Sequence, residues 1–385
     1  MKPPKGYTGG KEGQVCRLKR SLYGLKQASR QWNLELTKFF IEHGYTQSKR
    51  DYSMFSKIEN GKQTIVLVYV DDLLVTGDDT NEMKKLKTEL DNAFTVKDLG
   101  EMRYFLGIEV SRSPKGTMLN QRKFILDILK STGTEDCKPA KFPFPKGIKL
   151  SVDQGELLED PEIYRRIIGR LLYLNLTRPD ISYSVQQLSQ FMCEPRKPHL
   201  QAAIHVVKYL AGTIDWGLYY PADSEVKLSS FCDSDWGNCA FSSRSLTGYC
   251  VFLGKSLVSW KTKKQNTVSK SSTEAEYRCM SQTTSEIVWL NGVLEDLGFT
   301  VPKPIDLFCD NKSAIHLAHN PVFHERTKHL NVDCHYVRDH ILDGLLNVLH
   351  VRSFLQLADL MTKSLSEQQH NHLSFKLGIT PSAPT

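Results

Sequence analysis

The sequence predicts a mixed α+β and α/β chain in three parts, and three observations predict it. Between residues 52 and 119, apolar runs at a period of two are separated by sharp turn signals. Residues 161–212 read as helices alone, broken at Pro179 and at Pro195 and Pro198. A composition shift near 213–225 then leads into strands, a long helix and a strand–helix alternation. With 385 residues, 40% hydrophobic and 24% charged, the chain is long enough for two or three domains.

The elements follow in order. Apolar positions from Leu22 to Phe40 predict a helix over 21–43, stopped near Gly44. Strands at 52–58 and 64–70 flank the turn signal at Asn60-Gly61, which predicts a hairpin. Asp71 and Asp72 mark a second reversal, and 73–76 return as a strand. Asp79 and Glu82 have capping-box spacing at the start of a helix that runs to about Ala93. Strands at 104–110 and 117–119 flank Pro114 and Gly116, and a helix over 121–130 ends at Gly133. Three prolines in 138–148 read as a linker. The last part has strands near 226–232, 248–254 and 257–261, a helix at 272–297 and a strand at 305–309. Two helical stretches, a strand–helix pair over 346–365 and a loose tail from 366 complete it. The expected domains are 1–137, 138–221, 222–368 and a tail at 369–385.

The net charge is +7, and the first fifty residues are rich in Lys and Arg, which suits a polyanionic partner. Nine cysteines, odd in number and without a CxxC pair, imply reduced thiols and an intracellular setting. No apolar leader opens the chain and no run is long enough to span a membrane. Nothing in the sequence fixes an oligomeric state.

Four carboxylates carry the chemistry of the last third: Asp233, Glu276, Asp310 and Asp359. Asp233 and Asp310 end strand-like runs, Glu276 lies in the long helix, and Asp359 opens a short one. Converging carboxylates repel one another unless they hold hard cations such as Mg²⁺ or Mn²⁺. Two such ions close together are a standard device for breaking phosphodiesters. A second group is Asp71 and Asp72, two adjacent carboxylates between strongly apolar strands. A bare Asp-Asp turn is often plain solvated punctuation, but within Tyr69-Val70-Asp71-Asp72 it suits Mg²⁺ beside a nucleotide triphosphate. Cys309 reads as a small buried residue. His324, His329, His335 and His340 lack zinc-like spacing. Trp260 beside Lys261, Lys263 and Lys264 is a candidate stacking platform.

Tyr69–Asp72 resembles the YVDD box of reverse transcriptases. Residues 22–28 (LYGLKQA), 106–110 (LGIEV) and 169–181 (GRLLYLNLTRPDI) resemble segments of copia-type LTR retrotransposon Pol polyproteins. So do 245–248, 263–265, 271–277, 307–314 and 321–330, which match the ribonuclease H half of that family. The resemblance implies a reverse-transcriptase palm with a helical thumb or connection, then a ribonuclease H-like mixed sheet with flanking helices. It implies template RNA or DNA and RNA–DNA hybrids as partners, in a cytoplasmic virus-like particle or the nucleus. Asp71 and Asp72 match two of the polymerase's three metal-binding Asp residues. The third lies upstream of a segment like the one at 1–7, so no polymerase activity is expected from this chain alone. Asp233, Glu276, Asp310 and Asp359 match the ribonuclease H tetrad, which takes two Mg²⁺ or Mn²⁺ ions. Glu274 is the rival of Glu276, and Asp235 is expected to face away from Asp233. The alternative is a silent retroelement relic that binds nucleic acid through its basic surface.

Overall fold

A computed structural model of the chain describes residues 24–320 and 331–381, except 146, 149 and 240, and before them 6, 7, 9, 13–19 and 22. The chain divides into two compact units: residues 1–100 with 296–298, and residues 101–295 with 299–385. This division falls at Gly100, well before the boundary expected at 137.

The first unit holds α1 (Ala28–Glu42), β1 (Thr46–Gln47), β2 (Met54–Glu59), β3 (Lys62–Tyr69), β4 (Asp72–Gly77) and α2 (Thr80–Phe94). The helix starts at Ala28, later than predicted; Gly24 has a left-handed φ of +87° that a helix cannot include. The strands form an antiparallel sheet in the order β1-β2-β3-β4. Leu36, Phe40, Phe55, Val66, Leu86 and Leu90 close its core. Asp79 caps α2 by accepting the Asn81 and Glu82 amides. The Glu82 side chain does not complete the expected box. It is buried, and takes the Lys57 ammonium at 2.8 Å and the Tyr45 hydroxyl at 3.2 Å instead.

In the second unit, β5 (Tyr104–Phe105), β6 (Ile108–Ser113) and β7 (Gly116–Asn120) come first. The single strand predicted over 104–110 is a hairpin: Leu106 and Gly107 both have positive φ, the backbone of a tight two-residue turn. These strands belong to a five-stranded sheet of the second unit. They pair through β7 with β8 (Gly217–Pro221), and β8 with β14 (Ile379–Thr380).

Four helices share one core: α3 (Arg122–Thr132), α4 (Pro161–Leu174), α5 (Ser182–Ser189) and α6 (Lys197–Ala211). The proline-rich stretch between α3 and α4 is no free linker. Phe144 is buried in that core and the Ala140 amide donates to Lys208 O at 3.1 Å. Between α4 and α5 the Arg178 guanidinium is fully buried, gripping Asp180 through two hydrogen bonds and Thr213 through two more. The Tyr209 hydroxyl completes the Asp180 carboxylate at 2.7 Å.

The last sheet runs β11 (Ser256–Lys264), β10 (Leu246–Leu253), β9 (Leu228–Asp235), β12 (Ile305–Cys309), β13 (Leu346–His350). Strands β9 to β11 are antiparallel; β12 joins β9 and β13 in parallel. Helix α7 (Ser272–Asp296), α8 (Lys312–His319) and α9 (Asn331–Leu342) follow the strands, and α10 (Asp359–Thr362) comes after β13. The expected loose tail is largely structured: α11 (Glu367–Lys376) and β14 pack Leu373, Leu377 and Ile379 against Cys250, Phe252 and Leu257. From α11, buried His370 reaches the Asp180 carbonyl at 3.1 Å. Apolar burial therefore continues past 368, which a loose polar end would not allow. No helix among the described residues is long and apolar enough to cross a membrane.

Candidate active site

Asp233 lies on β9, opposite Gly248 of β10. It is 1% exposed. A buried carboxylate needs donors, and Asp233 has two: the Thr362 hydroxyl donates to Oδ2, and the Lys363 ammonium to Oδ1 at 3.1 Å. Lys363 also reaches Asp359 Oδ1 at 2.6 Å. Asp359 and Lys363 stand one helical turn apart at α10, the spacing that brings two side chains together.

Gly248 is what lets α10 come so close. A Cβ there would stand 2.5 Å from Thr362 Cγ2 and 2.7 Å from Met361 Cβ. Buried Gln356 anchors the approach, donating to Cys232 O at 3.0 Å and accepting the Ala358 amide. On the other flank, Asp310 follows the last residue of β12, and Ser353 donates to its Oδ2 at 2.9 Å. Glu276, 5% exposed on α7, meets Asp310 and Cys309: candidate ligand atoms of the three lie within 4.8 Å of one another.

Electrostatics ties the two flanks together. Burial raises the Asp233 pKa, and Asp310 adds to the rise against the pull of Lys363 and Thr362. Burial, then Asp233, pushes Glu276 up to about 11. The same two causes push Asp359 up to about 6, with Lys363 opposing. Burial opposes the Lys363 charge, yet the two carboxylates hold its pKa above the ordinary lysine range. The four predicted carboxylates thus form one electrostatic cluster.

Asp235 and Trp260 differ from expectation. Strand β9 continues to Asp235, which pairs with Leu246, so Asp233 and Asp235 share a face. Burial and Asp233 push Asp235 up to about 6. Glu274 is buried elsewhere, held by Arg278 at 3.0 Å and the Lys270 amide at 2.8 Å, while Glu276 joins the cluster. Trp260 is no open platform: it is partly buried, and its indole N–H donates to Asn175 O at 3.2 Å. Cys309 is buried as expected, but inside the ligand group. His324 and His329 lie outside the described residues. Sequence reading missed Lys363, Thr362, Gln356 and Gly248. Only Lys363 left a signal, four residues after Asp359.

Asp71 and Asp72 belong to the first unit. Val70 and Asp71 form a two-residue turn between Tyr69 and Asp72, which pair across the hairpin. Val70 has φ of +54°, a costly conformation for a β-branched residue, and Trp32 Nε1 donates to its carbonyl at 2.5 Å. Both Asp residues are exposed. Among the described residues, no third Asp, Glu, His or Cys joins them in a metal-sized group.

Residues 1–146 match the family described as reverse transcriptase (RNA-dependent DNA polymerase). The whole chain is 42% identical to 26% of the retrovirus-related Pol polyprotein from transposon RE1 of Arabidopsis thaliana. It is 32% identical to a putative Ty5-1 transposon protein of Saccharomyces cerevisiae, over 74% of this chain and 94% of that one. An N-terminal RNase H domain from Mycobacterium tuberculosis, solved as a fusion with maltose-binding protein, aligns with 39% of this chain and 98% of its own. At 16% identity and a TM-score of 0.25, that likeness is too slight to carry an argument. The chain spans about a quarter of the length of its RE1 and RE2 relatives. It belongs to the family of copia-type retrotransposon Pol polyproteins.

Proposed function

We propose that the second unit is a ribonuclease H that hydrolyses the RNA strand of RNA–DNA hybrids, as the C-terminal part of a Pol polyprotein. One observation carries this reading: Asp233 and Asp359 share the Lys363 ammonium, ligand atoms of Glu276 and Asp310 lie within 4.8 Å of each other, and the Asp233 and Asp310 charges bear on both flanks. Their donor set fits hard divalent cations, because crowded oxygen ligands gain most from added positive charge. Asp233, Glu276, Asp310 and Asp359 would hold Mg²⁺ or Mn²⁺. When bound, such ions polarise the scissile phosphate and stabilise the charge that develops on the leaving oxygen. The rest is positioning by the chain. Thr362 and Gln356 fix Asp233 and its strand against α10, and Ser353 orients Asp310. Asp235, on the same strand face and less buried than Asp233, would stand nearer to water. Hybrid shape and 2′-hydroxyls, not base sequence, would select the substrate.

The test is cleavage of a labelled RNA–DNA hybrid by the purified chain with Mg²⁺, Mn²⁺ or EDTA. Cleavage confined to the divalent ions and to the RNA strand is expected. A folded protein inert with both ions would leave a silent relic that at most binds nucleic acid. For the Asp71–Asp72 turn, we propose a part in RNA-directed DNA polymerisation that requires a further carboxylate beyond those described near it. Primer extension abolished by Asp71→Asn in the chain alone would refute that requirement.

A further inference from the structure

Lys363 stands where the cluster's positive charge is wanted. Its Nζ is 2.6 Å from Asp359 Oδ1 and 3.1 Å from Asp233 Oδ1, so one ammonium bridges carboxylates from α10 and β9. The other groups whose charge or polarity bears on this gap are polar or acidic: the Thr362 hydroxyl on Asp233 Oδ2, Asp235 farther along β9, and Asp310 from the end of β12. The Lys363 side chain is 36% exposed, against 2% for Asp233 and 16% for Asp359. Its flexible four-carbon stem therefore has a path from the gap to water. An ammonium and a divalent cation attracted by the same two carboxylates cannot both sit between them.

We propose that Lys363 is a tethered counter-cation that holds Asp233 and Asp359 together in the metal-free protein and is displaced when a divalent ion binds. The inference rests on reading the four carboxylates as a divalent-metal site. Its consequence is regulatory: the chain's own lysine competes with the metal and sets the ion concentration at which the site fills. Coupling of this kind is reciprocal, so weakening the lysine must strengthen the metal.

Two measurements on the full chain test it, neither requiring turnover. In parent protein carrying ¹³Cε-lysine, the Lys363 resonance, identified by its absence in Lys363→Arg, should shift along the Mg²⁺ binding curve. A Lys363 resonance indifferent to saturating Mg²⁺ overturns the proposal, and only the charge-keeping Lys363→Arg has to fold for the assignment. By calorimetry, Lys363→Gln should bind Mg²⁺ roughly tenfold more tightly than the parent, and Lys363→Arg, which keeps the charge, should stay near it. Equal or weaker binding by folded Lys363→Gln also overturns it. Cleavage assays run alongside separate the two readings. A parent whose Lys363 responds to Mg²⁺ but which never cleaves hybrid supports the counter-cation and sinks the nuclease. A parent that cleaves while Lys363 stays fixed does the reverse.

Discussion

The chain displays acidic groups in two places, and they are built in opposite ways. Asp71 and Asp72 sit in the open at a hairpin turn, where water solvates them at little cost. Asp233 and Glu276 are almost wholly buried, and burial first, then the charge of neighbouring carboxylates, raises their pKa values. Water tolerates an exposed acidic pair whatever its role. A buried carboxylate cluster costs several kcal/mol unless something compensates it, so its members either hold protons or share a cation such as the Lys363 ammonium. The strain follows the reverse pattern. At the exposed turn the backbone is strained, at Val70, whereas at the buried cluster the strain is electrostatic.

The largest test of this contrast exchanges one oxygen at each place. Asp233→Asn keeps the side-chain shape and removes the charge. Hybrid cleavage should fall by about a thousandfold or more while hybrid binding survives. Asp71→Asn should leave hybrid cleavage within about twofold of the parent. Equal losses in the two variants, measured under single-turnover conditions, would erase the distinction between the regions. Asp235→Asn, on the same face as Asp233 but outside the cluster's inner contacts, should fall between them, at roughly tenfold.

A subtler break leaves every carboxylate in place. In Gly248→Ala the new methyl would press on Thr362 and Met361 and push α10 off the sheet. Asp359 and Lys363 move with α10, so cleavage should drop by about a hundredfold, the scale of a misplacement near 1 Å. Adding Thr362→Ser removes the nearer obstructing methyl and keeps the hydroxyl on Asp233. The double variant should recover part of the loss. If Gly248→Ala cleaves like the parent, α10 is not seated by that glycine.

The cluster was legible in sequence because strands and helices are legible. Asp233, Glu276, Asp310 and Asp359 each sit at a recognisable place on an apolar or amphipathic run. The packing between those runs was not. Nothing local to Gly248 says that a helix more than a hundred residues later will press on it. Asp235 was misjudged because strand ends are poorly marked, and two more strand residues turned its side chain toward Asp233. The hairpin within 104–110 was hidden by its content, since Leu106 is a poor advertisement for a positive φ. The α11 segment looked polar, with His370 among Gln and Asn, yet it closes a core through Leu373 and Leu377. The YVDD turn shows the converse. Its motif was the easiest to find, and its surroundings add the least chemistry.

The smallest expected effect concerns stability and depends on sign. Asp359 has its pKa raised to about 6, so the folded state keeps a proton that the unfolded chain releases near 4. An acid raised in this way stabilises the fold below pH 4, and that contribution is lost as pH rises from about 4 to 6. His199, His205 and His370 pull the other way: burial lowers their pKa, and their protonation destabilises the fold on the acid side. Raw stability against pH therefore mixes two trends. The clean quantity is parent minus Asp359→Asn, measured by urea unfolding in EDTA. That difference should shift against the parent by about 2 kcal/mol between pH 4 and pH 7. Saturating Mg²⁺ should shrink the shift, because a cation favours the ionised carboxylate that the apo cluster disfavours. A difference that is flat with pH in EDTA would mean that Asp359 does not feel the cluster's charge, and the four carboxylates would lose their claim to act as one site.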